Sequence, residues 1–159
     1  MKTAFLYATK YGCVEQCGKI IAEQLNGVMD FYNLKTNKQV DLTQYDRVIL
    51  GGSIYVGRIQ KEVTEFSLNN LNTLRDKKLG LFICCLMEGE EAETELRNAY
   101  PDTLLEHAAA KEYFGGQAIF NKMNFFHRFI LKKISKADKD IYNLSNKNIE
   151  RFVKNLNKI

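Results

Sequence analysis

Nothing in this chain approaches the roughly 20 consecutive apolar residues that a membrane span requires. The apolar stretch Ala4–Ala8 is too short for the hydrophobic region of a secretory signal and runs straight into a turn, so it reads as a strand. A cytoplasmic protein is the plain expectation. Cysteine is scarce, with four residues, and no CxxC pair occurs. Cys13 and Cys17 stand one helical turn apart, whereas Cys84 and Cys85 are adjacent and would face opposite sides of a strand. Both histidines lie away from any cysteine pair. These absences argue against a zinc site or a structural disulfide and leave the cysteines as small buried apolar residues. There are no repeats, no low-complexity tract and no linker, and 159 residues suit one domain spanning 1–159.

What is present is an ordinary globular composition, 45% hydrophobic and 26% charged. The balance is basic, with a net charge of +4 and a pI near 8.8. That favours anionic partners such as phosphate, carboxylate or lipid head groups. Apolar runs and helical periodicities alternate along the chain. Strands are expected at Ala4–Ala8, Val28–Leu34, Asp46–Gly52, Leu79–Leu86 and Lys111–Gly116. The first helix carries Cys17, Ile20, Ile21 and Leu25 on one face and ends at Asn26-Gly27. Ile59, Val63, Phe66 and Leu71 mark the second, and an acidic helix from Glu90 is divided by Pro101. Asn143–Leu156 gives the last, through Leu144, Ile149, Phe152, Val153 and Leu156. Five strand–helix alternations call for a parallel sheet with helices on both faces, joined by right-handed crossovers.

In such sheets ligands bind beyond the carboxyl ends of the strands. Three turns fall there: Thr9–Val14, Ser53–Arg58 and Met87–Glu91. The first joins a strand to a helix start through Gly12, where free backbone N–H groups and the helix dipole attract an anion and Thr9 adds a hydroxyl. Taken alone, such a turn occurs in any α/β protein. The convergence of three is the argument for a site.

The chain resembles the flavodoxin family over nearly its whole length, anchored in the turn Thr9-Lys10-Tyr11-Gly12-Cys13-Val14. Thr9 and Gly12 match the family's phosphate turn, while Tyr11 and Val14 replace two hydroxyl residues. The resemblance implies a three-layer α/β/α fold with a five-stranded parallel sheet in the order 2-1-3-4-5, and FMN as cofactor. It also implies that Thr9, Lys10, Tyr11, Gly12, Cys13 and Val14 hold the phosphate, chiefly through backbone N–H groups. Ser53, Ile54, Tyr55, Val56 and Gly57 would line one side of the flavin, with Tyr55 either stacking on it or serving only in packing. Gly57 would permit the peptide rearrangement that accompanies flavin reduction in the family. Leu86, Met87, Glu88 and Glu91 would lie along the other edge, where no aromatic residue is offered, leaving one ring face open to a substrate or quinone. Having lost two phosphate-turn hydroxyls, the chain is also compatible with a flavodoxin-like domain that has given up FMN and acts in binding or regulation.

Tyr45-Asp46-Arg47-Val48-Ile49-Leu50-Gly51-Gly52-Ser53-Ile54-Tyr55-Val56-Gly57 is similar to the corresponding segment of the menaquinone-dependent protoporphyrinogen IX dehydrogenases. These flavodoxin-like enzymes carry an extra segment before the last helix. Here about 117–142 fills that place, and Phe126-His127-Arg128-Phe129-Ile130-Leu131-Lys132 resembles theirs. The resemblance implies an oxidoreductase passing electrons from a substrate, a porphyrinogen, through FMN to a quinone-type acceptor. The alternative is a one-electron carrier serving other redox enzymes, although carriers of this family are typically acidic. Read from its residues, the insert interleaves Phe120, Met123, Phe125, Phe126, Phe129, Ile130 and Ile134 with Lys122, Arg128, Lys132, Lys133 and Lys136. Such an amphipathic helix either packs its apolar residues onto the sheet or meets a lipid surface through 120–136, at the inner face of the membrane, or a flat carboxylate-bearing substrate. Arg128, Lys132 and Lys133 are the substrate-carboxylate candidates. His127 reads as structural ahead of a proton carrier. No nucleic-acid module is present, and no side-chain acid–base pair stands out as catalytic.

Overall fold

The computed structural model describes residues 1–135 and 139–158. Its central sheet contains β1 (Lys2–Ala8), β2 (Val28–Asn33), β3 (Arg47–Tyr55), β5 (Lys78–Cys84) and β6 (Ala110–Tyr113), with the two-residue strand β4 (Arg58–Ile59) folded back onto the end of β3. The five long strands run parallel in the order β2-β1-β3-β5-β6, which is the expected 2-1-3-4-5 when counted among themselves. Period-two alternation decides which side each residue serves. In β1, Ala4, Leu6 and Ala8 face one layer, whereas Phe5 and Tyr7 face the other.

The first layer holds α2 (Lys61–Asn69), α3 (Leu71–Arg75), α4 (Gly89–Ala99) and α5 (Asp102–His107), with Pro101 standing at the start of α5. Val63, Phe66, Leu74, Ala92 and Leu104 bury against Leu6, Leu50 and Leu81. The second layer holds α1 (Cys13–Gln24) and α7 (Asn146–Asn157), which pack Ile21, Ile149, Phe152 and Leu156 onto Phe5, Ile49 and Phe82. Each such side chain withdrawn from water contributes about 1.5–3 kcal/mol before entropy is counted. Ser145 caps α7 by accepting a bond from the Asn148 N–H at 3.3 Å. At the opposite edge Arg47 is fully buried between the layers. It donates to Thr3 Oγ1, to the Leu156 carbonyl and to the Asn26 carbonyl at 2.9, 3.0 and 2.5 Å. One side chain thus ties together the last turn of α7 and the chain leaving α1.

Three expected boundaries shift. Ser53–Tyr55 belong to β3 rather than to a turn, because Ser53 pairs with Cys84 of β5 and β4 pairs with Ile54 and Tyr55, leaving only Val56-Gly57 to reverse the chain. The expected fifth strand divides at Phe114, so Gly115 and Gly116 enter a separate strand β7 (Gly115–Ala118) paired antiparallel with β8 (Ile141–Leu144). Asn143 and Leu144 are therefore strand, and the last helix starts at Asn146. Between β7 and β8 the insert forms a short 3-10 turn at Phe120–Lys122 and the helix α6 (Phe125–Ser135). Lys136 lies outside the described residues, as does the side chain of Ile134.

Candidate functional site

The three turns do converge at the carboxyl ends of the strands, beneath the insert. The first connects β1 to α1. Gly12 adopts φ +90°, and a Cβ there would meet nothing within 4 Å, so this backbone is open to a close-lying group. The Gly12 N–H donates to Thr9 Oγ1 at 2.9 Å, which tightens the turn. No side chain caps α1. Its first-turn N–H groups accordingly remain available to an acceptor, with the positive end of the helix dipole behind them. Val14 is fully buried in the α1 layer, so it offers this turn only its backbone. Cys13 is nearly buried and faces inward.

The second turn is strained. Val56 has φ +49° and Gly57 +69°, the pairing of positive angles a two-residue hairpin demands, although a β-branched residue resists it. Ser53, Ile54, Tyr55, Val56 and Gly57 form one wall of a cavity of ≈ 120 Å³. Leu86 and Met87 from the third turn also line it, as do Cys84, Cys85 and Glu95. Glu88 points away and accepts from Asn143 Nδ2 at 2.7 Å, while Glu91 borders a separate shallow hollow with Met87 and Glu95. Glu95 leaves its Oε2 buried without a hydrogen-bond partner among the described residues. Burial raises its pKa, against the opposing influence of the Cys85 thiol. That oxygen is left with acceptor capacity that a ligand N–H could satisfy.

The roof comes from the insert, a contribution that residue types alone did not reveal. Met123, His127, Ile130 and Leu131 line the cavity, the last three at the spacing of one face of α6 and Met123 from the segment just before it. Met123, Leu131 and Ala118 form a small core that also takes in Tyr11 and Leu86. The signal was present in the i, i+3 and i+4 spacing, but the more conspicuous phenylalanines on the other face obscured it. His127 is the hinge of the arrangement. Its ring stacks on Tyr55 with centroids 5.4 Å apart and planes at 19°, and meets Tyr11 edge-on. Lys10 Nζ lies 3.1 Å from Nε2 and Tyr11 Oη 2.5 Å from Nδ1. An ammonium can only donate, so Nε2 must accept and the neutral ring carries its proton on Nδ1, donating to Tyr11. Burial and the Lys10 charge both lower the His127 pKa. Burial, followed by the Tyr11 and Cys13 charges, keeps the Tyr55 phenol protonated.

The outer face of α6 is different. Phe125, Phe126 and Phe129 are 85%, 66% and 56% exposed. Lys132 and Lys133 are exposed beside them, with Lys133 Nζ 5.7 Å from the Phe129 ring centre. Arg128 Nε donates to the Phe120 carbonyl at 2.6 Å, so part of that guanidinium serves the insert itself. The insert thus packs one face over the strand ends, as the packing reading expects, and leaves the other face open. Among the described residues, no helix is long and apolar enough to cross a membrane.

A doubly wound α/β/α protein with its site at the carboxyl ends of the strands is the class this geometry defines. The Flavodoxin domain family model matches residues 4–145, and the chain belongs to that family. No curated protein matches. Among solved structures the chain is similar to a flavodiiron core from Synechocystis (14% identity, TM-score 0.59), covering 98% of this chain and 34% of that one. It is also similar to the rubredoxin oxygen:oxidoreductase of Desulfovibrio gigas (16%, TM-score 0.51; 99% and 37% covered) and to oxidised flavodoxin 1 of Bacillus cereus (15%, TM-score 0.56; 97% and 93% covered). The chain spans about a third of the length of the first two. At these identities the likeness is one of fold.

Proposed function

We propose that this chain binds FMN and acts as an oxidoreductase that passes electrons from an organic substrate to a quinone-type acceptor, as the protoporphyrinogen dehydrogenases do. The observation that carries this reading is the roofed apolar cavity between Tyr55 and Leu86-Met87, entered beside an uncapped helix N-terminus. A phosphate suits the N–H groups of α1 and the open side of Gly12, with Lys10 at hand. The flat ring suits the slot beside Tyr55, and Glu95 supplies the unpartnered acceptor. His127 stands where a second planar group would stack on Tyr55, so its side chain would have to turn aside for a flavin ring to take that place. Bound FMN supplies the redox chemistry, and the protein supplies position, dryness and charge. Tyr55, held as a phenol, remains a neutral wall. Lys132 and Lys133, exposed on the outer face of α6, would meet substrate carboxylates, with Arg128 bracing the insert beside them.

The test is an anaerobic reductive titration of the FMN-loaded protein followed by visible absorbance. Direct two-electron reduction, followed by oxidation of a porphyrinogen with a quinone present, is expected. Two resolved one-electron steps would instead make the protein a carrier. Failure to take up FMN would end both readings and leave the domain to binding or regulation. Replacing Arg128 and Lys132 with Gln should raise the substrate KM and leave the bound-flavin spectrum unaltered.

A further inference from the structure

Three of the four cysteines meet at one point below the cavity. The sulfurs of Cys13, Cys17 and Cys84 all lie within 4.8 Å of one another, with Cys17 Sγ and Cys84 Sγ 3.6 Å apart. They arrive from two successive turns of α1 and from the end of β5, whereas Cys85 faces the opposite layer. Packing alone does not call for three thiols to share one contact. A zinc site is poorly served, because no histidine or carboxylate joins the three sulfurs among the described residues and structural zinc takes four ligands.

The three are unequal. Cys17 is sealed at 0% exposure and does not border the cavity, whereas Cys13 and Cys84, 7% and 3% exposed, both line it. Cys13 is also the first residue of α1, where unpaired N–H groups favour an anion. The thiols of Cys17 and Cys84 donate toward it and pull its pKa well below the usual thiol value, and they are themselves held protonated. Two sulfurs thus border the cavity with the Cys17 thiol behind them, and of the two Cys13 is the one at a helix N-terminus.

We propose that Cys13 is a redox-active nucleophile, that Cys84 is its resolving partner, and that a small hydroperoxide entering the cavity converts them to a Cys13–Cys84 disulfide. The Cys13 thiolate attacks one peroxide oxygen and the O–O bond breaks. The departing oxygen takes a proton and leaves as water or alcohol, and Cys13 becomes a sulfenic acid. The Cys84 sulfur then attacks the Cys13 sulfur. The S–O bond breaks, and hydroxide leaves with the Cys84 proton as water. The two sulfurs together lose two electrons, and the peroxide gains them. Cys17 stays a thiol and serves as a donor to its neighbours. The reaction needs no flavin, so it stands apart from the function proposed above.

The test uses the full chain without cofactor, treated with one equivalent of hydrogen peroxide and followed by intact mass and peptide mapping. A loss of two hydrogens and a peptide joining Cys13 to Cys84 are expected. Cys13→Ser should slow thiol loss by at least about tenfold. Cys84→Ser should leave a sulfenic acid on Cys13 that dimedone traps, and Cys17→Ser should still form the link. The peptide map of the unmutated protein is independent of how any variant folds. A map joining other cysteines, undiminished oxidation in Cys13→Ser, or no oxidation of the native chain would each overturn the proposal.

Discussion

Two side chains carry most of what is unusual at the scale of the residue. Val56 holds a left-handed backbone at an exposed hairpin tip, a conformation that costs an L-residue about 1–2 kcal/mol. Asparagine tolerates that region far better. Val56→Asn should therefore stabilise the protein by about 1 kcal/mol and raise the midpoint of thermal unfolding by about 3 °C, as read by circular dichroism. His127 lies at the other side of the same cavity with its pKa lowered below the ordinary 6.5 by burial and by Lys10. The undocked ring takes up a proton first, so contact between the insert and Tyr11 is at full strength above about pH 6.5 and weakens as pH falls below it. A proton NMR titration of the His127 ring should give a midpoint under 6.5, and a midpoint above it would show that the ring is not held as described. Tyr55 and Gly12 could be singled out from the sequence because their chemistry is local. The roles of Glu95 and His127 could not, since both depend on contacts between segments far apart in the chain.

Among the elements, β1, β3 and β5 were legible because each is an apolar run buried on both faces, and the edge strand β2 was legible from its alternation. The two-residue β4 was not, since Ile59 fits the helical spacing of Val63 and Phe66 as well as it fits a strand. For the same reason β8 was merged with α7: Leu144 continues the apolar stripe of Ile149 and Phe152. What holds the layers together at the far edge is also not a pattern but a single buried arginine. Arg47 satisfies two main-chain carbonyls that no other donor reaches among the interactions described for it. Arg47→Met keeps the aliphatic stem and strands those acceptors, so it should cost about 2–4 kcal/mol. Urea denaturation should show a lower midpoint with the slope unchanged. A variant as stable as the parent would mean that water replaces the guanidinium at no cost.

For the molecule as a whole, basic charge and aromatic exposure coincide on α6. With the net charge at +4 and Phe125, Phe126 and Phe129 uncovered, the open face suits an anionic bilayer surface. Vesicles containing anionic lipid should co-sediment the protein, and raising the salt concentration should weaken the association because the charged component is screened. Replacing the three phenylalanines with Ser should remove it while leaving the cavity intact, since none of the three lines it. Equal sedimentation of that variant would exclude this face as the point of contact. The sequence supplied both halves of the argument, charge and aromatic content, but not which face the helix would turn outward.

The pairing of β7 with β8 brings the two ends of the insert side by side, Gly115 registered with Leu144. The chain enters and leaves this segment through the same narrow neck, and the parallel sheet is complete without it. The roof is therefore a cassette. It can be excised and the neck closed with a short reverse turn, or exchanged for the corresponding segment of a relative. One scaffold can in this way be fitted with different covers over the same strand ends, so that change in what is admitted there need not disturb how the scaffold folds.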